Sequence, residues 1–208
     1  KLEETWTAGV VVENRPGAGG SIALNTVLTA PPDGNLFFWG TTGEMAINPA
    51  LNRRLPHDPG RLVPIIDVLS SDMSLSVGAQ VPARTVAEFL QWSADKSPLL
   101  IGTFGPGSPH HILALLFGAA TGRKVEPVHY KAVQDVLGDL SNGNIHASFG
   151  SVPLARTWQQ SGRSRVVGVV APQRSPLVPD AETFQEAGLA QVRLPSWAAL
   201  FGPPGLPE

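Results

Sequence analysis

The sequence predicts an α/β fold, on three observations. Short apolar runs alternate with stretches of helical periodicity at spacings of about 20 to 25 residues, the rhythm of parallel strands joined by crossover helices. Glycine-rich loops separate the two kinds of segment, as at Gly17-Ala18-Gly19-Gly20 and at 102–108. Gly (22) and Pro (20) together make up about a fifth of the 208 residues, against a usual share of about 12%. They punctuate the chain without periodicity, so many short elements joined by tight turns are expected and a collagen-like repeat is excluded.

Taken in order, the first apolar run, Val10-Val11-Val12, predicts a strand, and a helix follows over about 21–30. The turn Pro31-Pro32-Asp33-Gly34 leads to a strand at 36–39, and a short helical turn is expected near Glu44-Met45-Ala46. Residues 49–64 are proline-rich and expected to be irregular. Met73-Ser74-Leu75-Ser76-Val77 alternates at period two, the pattern of a half-buried strand. Thr85-Val86-Ala87-Glu88 is a capping box opening a helix to about residue 94. Leu99-Leu100-Ile101 is a strand running into Gly102-Thr103-Phe104-Gly105-Pro106-Gly107-Ser108. Ser108 caps the next helix, Pro109 occupies its first turn, and Leu113, Leu116, Phe117 and Ala120 mark its buried face to Gly122. A strand over 125–129, a helix carried by Val133, Val136, Leu137 and Leu140, a strand over 145–149, a helix over 154–160 and a strand over 166–170 continue the alternation. A short helix at 182–187 and a strand at 196–201 close it.

Composition narrows the function. Lys and Arg number 15 against 17 Asp and Glu, giving a net charge of −2, and 42% of residues are hydrophobic. There is no electrostatic footprint for nucleic acid and no apolar run of the roughly 20 residues a membrane helix needs. With no cysteine, thiolate metal sites, disulfides and cysteine nucleophiles are excluded. Against a dinucleotide-binding reading, the glycine loop at 17–20 lacks a third glycine at position 22, where Ile22 stands, and no acidic residue follows about 20 residues on. A tight turn is the simpler account of that loop; N–H groups at its helix start facing an anion are a third. His110-His111 lacks the i, i+4 partner that a helical metal site requires, and no Gly-x-Ser-x-Gly elbow is present. No metal and no cofactor are expected. The loops offer backbone amides and hydroxyls rather than acids, bases or ligands, an inventory suited to binding more than to turnover.

Several of these blocks carry a resemblance. The run from Val10 through Glu13-Asn14-Arg15-Pro16 to Gly20, then Ala30-Pro31-Pro32-Asp33-Gly34, Ile47-Asn48-Pro49-Ala50-Leu51, Gly107-Ser108-Pro109 with His111, Tyr130-Lys131, Arg174-Ser175-Pro176 and Glu186-Ala187-Gly188-Leu189 occur in order. Together they resemble the TctC/Bug-type solute receptors of tripartite tricarboxylate transporters along essentially the whole chain. The resemblance implies a type II periplasmic-binding-protein fold with two α/β lobes and a double-crossing hinge. Lobe one is expected over 1–78 plus 196–208, lobe two over 79–195, with crossings near 75–81 and 194–200. The chain, whose first residues 1–6 read as the end of an amphipathic helix, is expected to be incomplete at both ends.

The same resemblance implies a periplasmic, non-enzymatic receptor, secreted although no signal peptide is visible, that captures a small carboxylate between the lobes. The expected partners are that ligand and the membrane subunits of the transporter, with no nucleic acid and a monomeric state. A sensing protein that signals to a membrane kinase is the alternative, and an enzyme on the same fold is third. The implied ligand-binding residues are Ala18 and Gly19; Thr41, Thr42 and Gly43; Thr103, Gly107 and Ser108; Tyr130; and Gly150 with Ser151. His129 and Ala132 replace the Pro and Gly that flank the Tyr-Lys pair in the family. Gly150 stands where many members carry an Asp that can hold an amino group, which favours a plain mono- or dicarboxylate over an amino acid. Lys131 is either a cation for the ligand or a solvated lysine, and His111 either braces its loop or touches the ligand.

Overall fold

In the computed structural model, which describes residues 9–15, 17, 20–52 and 55–207, the strands sort into two sheets. The smaller holds β1 (Phe38–Thr41), β2 (Val63–Ser70) and β9 (Trp197–Gly202), with β9 central and antiparallel to both neighbours. One face is packed by the helix α1 (Ser21–Leu28), whose Leu24, Val27 and Leu28 meet Phe38, Leu62 and Phe201. Side chains alternate across a strand, so Trp39 faces outward, 50% exposed, while Phe38 is buried. After β1 a π-helical turn over Gly43–Ile47 runs directly into the four-residue helix α2 (Asn48–Leu51).

The larger sheet has six strands in the order β5-β4-β6-β3-β7-β8: β3 (Met73–Gly78), β4 (Leu99–Thr103), β5 (Val125–His129), β6 (Ala147–Ser151), β7 (Ser164–Val170) and β8 (Glu182–Thr183). The pairs β4–β5, β4–β6 and β7–β8 are parallel, whereas β3 lies antiparallel between β6 and β7. Helices α3 (Val86–Trp92), α4 (Pro109–Thr121), α5 (Val133–Asn142) and α6 (Val152–Gln160) connect these strands. The main core lies here, around Leu75, Phe89, Leu99, Ile101, Phe117 and Phe149.

Several expectations are corrected. Val10-Val11-Val12 forms no strand: it pairs with neither sheet, and Val11 and Val12 are 89% and 83% exposed. Strand β2 was not foreseen; Pro64 interrupts its apolar run, and its pairing to β9 shifts register twice. The strand at 73–77 is buried on both faces rather than half-buried: Met73, Leu75 and Val77 join the main core, and α5 and α6 also lie against the strand. It belongs to the six-stranded sheet, so the chain leaves the small sheet at Ser71 and Asp72, ahead of the crossing expected at 75–81. Residues 182–187 give the two-residue β8 and turns in place of a helix. The sheets are antiparallel and mixed, not parallel throughout. Residues 1–6, read as a helix end, lie outside the described residues.

The capping box forms with a one-residue offset. Thr85 Oγ1 accepts from the Glu88 N–H at 3.1 Å, and Glu88 Oε2 accepts from the Arg84 N–H at 2.6 Å, one residue ahead of the cap. Thr85→Ala is expected to lower stability by about 1 kcal/mol, read as a shift of the urea midpoint at unchanged slope. A shift of no more than a few tenths would show that packing by Val86 and Phe89 alone holds α3.

Candidate functional site

Because β4, β5 and β6 run parallel, their carboxyl ends lie on one edge of the sheet, at Thr103, His129 and Ser151. A helix begins shortly after each, so the positive ends of α4, α5 and α6 gather there, as at ligand crevices of α/β sheets.

The loop between β4 and α4 turns on Gly105 and Gly107, both at positive φ (106° and 74°), a conformation that favours glycine. Ser108 caps α4 as predicted, its Oγ accepting from the His111 N–H at 3.3 Å. The same hydroxyl donates to the Gly105 carbonyl at 2.7 Å, and the Gly107 N–H donates to His111 Nδ1 at 3.0 Å. His111 therefore braces the loop. Its ring stands edge-on to that of His129, 5.0 Å between centroids. Desolvation, followed by the neighbouring His129, holds the His111 pKa below the usual imidazole range. Thr103 Oγ1 and His129 Nδ1 share a hydrogen bond of 2.6 Å, which turns the fully buried Thr103 side chain into the β4–β5 seam. The Tyr130 hydroxyl donates to Asp139 Oδ2 at 2.7 Å. Burial and that carboxylate push its pKa up, so it stays a phenol.

On the other sheet, the Thr41 N–H donates to Glu44 Oε2 at 3.0 Å, the Thr41 hydroxyl bonds the same oxygen, and the Gly43 N–H donates to Thr41 Oγ1 at 3.2 Å. Thr42 is buried; its Oγ1 accepts from the Trp197 N–H at 3.0 Å and donates to the Pro195 carbonyl at 3.3 Å. That pair of bonds ties the end of β1 to the segment by which the chain returns to the small sheet. Gly150, at the end of β6, accepts from Ser74 Oγ at 3.2 Å through its carbonyl. A Cβ there would meet only Leu154 Cδ2, at 3.8 Å, so the position has room for a side chain. Next to it Ser151 pairs with Met73, and the Val152 N–H donates to the Asp72 carbonyl at 2.9 Å.

The two sheets contribute jointly to one cleft of about 390 Å³. Its walls include Thr42, Ile47 and Leu51 from the chain after β1, Ile112 from the first turn of α4, and Leu194 and Trp197 from the return segment. The α4 loop adjoins it: a Cβ on Gly107 would lie 3.6 Å from Asn48 Oδ1 and 3.9 Å from Leu51 Cδ1. A second groove, of about 490 Å³, is lined by Arg174, Thr183 and Glu186 among others. Its two charges neutralise each other across 3.0 Å, so it offers a ligand no unbalanced charge.

Of the sequence-predicted residues, Thr42 lines the cleft and Gly107 adjoins it. Thr41 and Gly43 are bonded around Glu44, and the side chains of Thr103, Ser108 and Tyr130 are engaged within the large sheet and its loops. Gly150 and Ser151 stand at the end of β6, while Ala18 and Gly19 lie outside the described residues, as do Arg53 and Arg54. Sequence reading missed Ile47, Leu51, Ile112, Leu194 and Trp197 as lining. The block 47–51 had drawn notice for resemblance and 194–200 as a crossing, neither for chemistry. Among the described residues no group of three His, Cys, Asp or Glu is placed to hold a metal, and no helix is long and apolar enough to cross a membrane.

Comparison with known proteins gives a consistent picture. The family described as tripartite tricarboxylate transporter family receptor (TctC) matches residues 1–208. The chain is similar to R. palustris Rpa4515, solved with adipate, at 30% identity and a TM-score of 0.88, covering 99% of this chain and 70% of that one. MatC (Rpa3494) from Rhodopseudomonas palustris, with bound malate, is 26% identical with a TM-score of 0.78, over 92% of this chain and 66% of that one. Protein BugT of Bordetella pertussis is 26% identical over 98% of this chain and 64% of its own length. The chain spans less than two thirds of the length of the curated relatives it matches.

Proposed function

From the premise that this chain belongs to the tripartite tricarboxylate transporter receptor family, we propose that it is an extracytoplasmic receptor that captures a small carboxylate and delivers it to the membrane subunits of such a transporter. The two sheets are the cores of two lobes, hinged at residues 71–72 and 194–196, and the ligand is held where they face each other. The observation that carries this reading is the shared cleft: α2, the π-helical turn and Trp197 of one half meet the first turn of α4 of the other, beside the crossing at Leu194 and Pro195. Adipate and malate bound to two relatives of matching fold support a carboxylate. The loop's bonded network, with Gly107 and Ser108 fixed by His111 and Gly105, supports a preformed wall rather than reacting groups.

The test is calorimetric titration of the full-length protein with a panel of small carboxylates that includes malate and adipate, followed by recovery of the acid. Saturable one-to-one binding with a dissociation constant in the micromolar range, about −8 kcal/mol, and recovery of the acid unchanged are expected. No binding across the panel would overturn the reading, and conversion of the bound acid would replace it with an enzymatic one.

A further inference from the structure

Resting on that receptor reading, we propose that the preferred ligand is a monocarboxylate with an apolar body of about five to seven carbons, rather than a diacid or a hydroxy diacid. The cleft has the volume of a small-molecule site, which typically begins near 300 Å³. Its walls are aliphatic or aromatic: Ile47, Ala50, Leu51, Ile112, Leu194 and Trp197. Among the described residues that line it there is no charged side chain, and the one hydroxyl is that of Thr42. That hydroxyl already donates to the Pro195 carbonyl and accepts from the Trp197 N–H, so it has no proton left to give a carboxylate oxygen.

A second carboxylate carried into such a cleft would be stripped of water with nothing to replace it, a large cost for an ion. A methylene chain or an aryl ring would instead lose only unfavourable contact with water. One head group is provided for. The cleft borders the loop that opens the thirteen-residue α4, whose N-terminal end carries a partial positive charge. In that loop the Gly107 N–H and the Ser108 hydroxyl are spent on His111 and Gly105, so neither is left for a second head. The arrangement therefore sorts acids by what trails the head: apolar bodies enter and second charges are refused.

Hexanoate and adipate have the same six carbons and differ in one terminal charge, so they separate the alternatives. Calorimetry on the full-length protein should give hexanoate at least tenfold tighter than adipate and malate. From propionate to hexanoate each added methylene should tighten binding about fourfold. Ala46→Leu, which adds three carbons to the cleft wall, should weaken hexanoate about tenfold while leaving propionate within threefold. Adipate or malate binding as tightly as hexanoate, or equal losses for both monoacids in Ala46→Leu, would overturn the inference and leave the receptor reading standing. Binding of none of these acids would remove both. If Ala46→Leu does not fold, the wild-type series decides alone.

Discussion

Phe117→Ala is expected to destabilise the protein by about 3–5 kcal/mol, the usual cost of emptying a buried aromatic site. The ring is fully buried and lies 6.3 Å from Phe89, 6.2 Å from Phe149 and 6.1 Å from Phe184 between centroids. Those partners stand on α3, on β6 and directly after β8, so one ring joins a helix to an inner strand and to one edge of the large sheet. Its loss would leave a cavity that four rigid elements cannot collapse to fill. A domain of ordinary stability, about 5–15 kcal/mol, would lose a large part of its margin. Phe117→Leu, which keeps much of the volume, should cost about 1–2 kcal/mol. Urea unfolding monitored by tryptophan fluorescence checks both, and a loss under 1 kcal/mol for the alanine variant would show that the aromatic cluster is not what holds α4. The consequence reaches the cleft. Ile112 lies five residues before Phe117 on the same helix, so a loosened α4 should weaken ligand binding even where the fold survives.

The helices of the large sheet were legible because their signals are local. Thr85 and Ser108 announce their caps, Gly122 and Gly143 mark ends at positive φ, and the spacing of Leu113, Phe117, Val136 and Leu140 is written in the chain. The strand at 125–129 was read at its observed bounds for the same reason. Strand β3 was misread because its serines look like a solvent face. Ser74 is buried and satisfied by the Gly150 carbonyl, a partner 76 residues away that no local pattern reveals. Strand β2 was missed because its apolar run has neither the period of a half-buried strand nor clean boundaries, with Pro64 at its second position. Ile66 remains 59% exposed within it, so burial wrote no alternation into the sequence.

The candidate site divides along the same line. Glycine, serine and threonine in loops carry a chemical signature, and those singled out stand at the ends of β1, β4 and β6 or in the loops that follow. Their hydrogen-bond partners were invisible: Thr42 bonds to residues 153 and 155 positions away, and Thr103 turns to His129 instead of outward. The cleft walls were less legible still. Ile47, Leu51, Ile112 and Leu194 are ordinary apolar residues from three separate stretches, and only the folded chain brings them to one surface.

Acid should weaken this fold well before its carboxylates are protonated, and His110 is the main reason. Its Nδ1 is buried with no hydrogen-bond partner among the described residues. The ring packs edge-on against Phe104, 4.7 Å between centroids. Burial pushes its pKa down to about 4, whereas in the unfolded chain it titrates near 6.5. Between these values the unfolded state takes up a proton that the folded state refuses, so stability present above about pH 6.5 is lost as the pH falls toward 4. A displacement of that size corresponds to about 3 kcal/mol. His111 and His146 are also held low, each mainly by burial, and act in the same direction. His110→Leu keeps an apolar filler beside Phe104 and removes the titration. Urea unfolding at pH 7.5, 6.0, 5.0 and 4.5 should show wild-type protein losing about 2–3 kcal/mol across the series and the variant losing less than half as much. Parallel pH profiles for the two proteins would show that His110 escapes to solvent when protonated. Its position in the first turn of α4, beside the loop fixed by His111, makes the cleft wall the first structure such an escape would disturb.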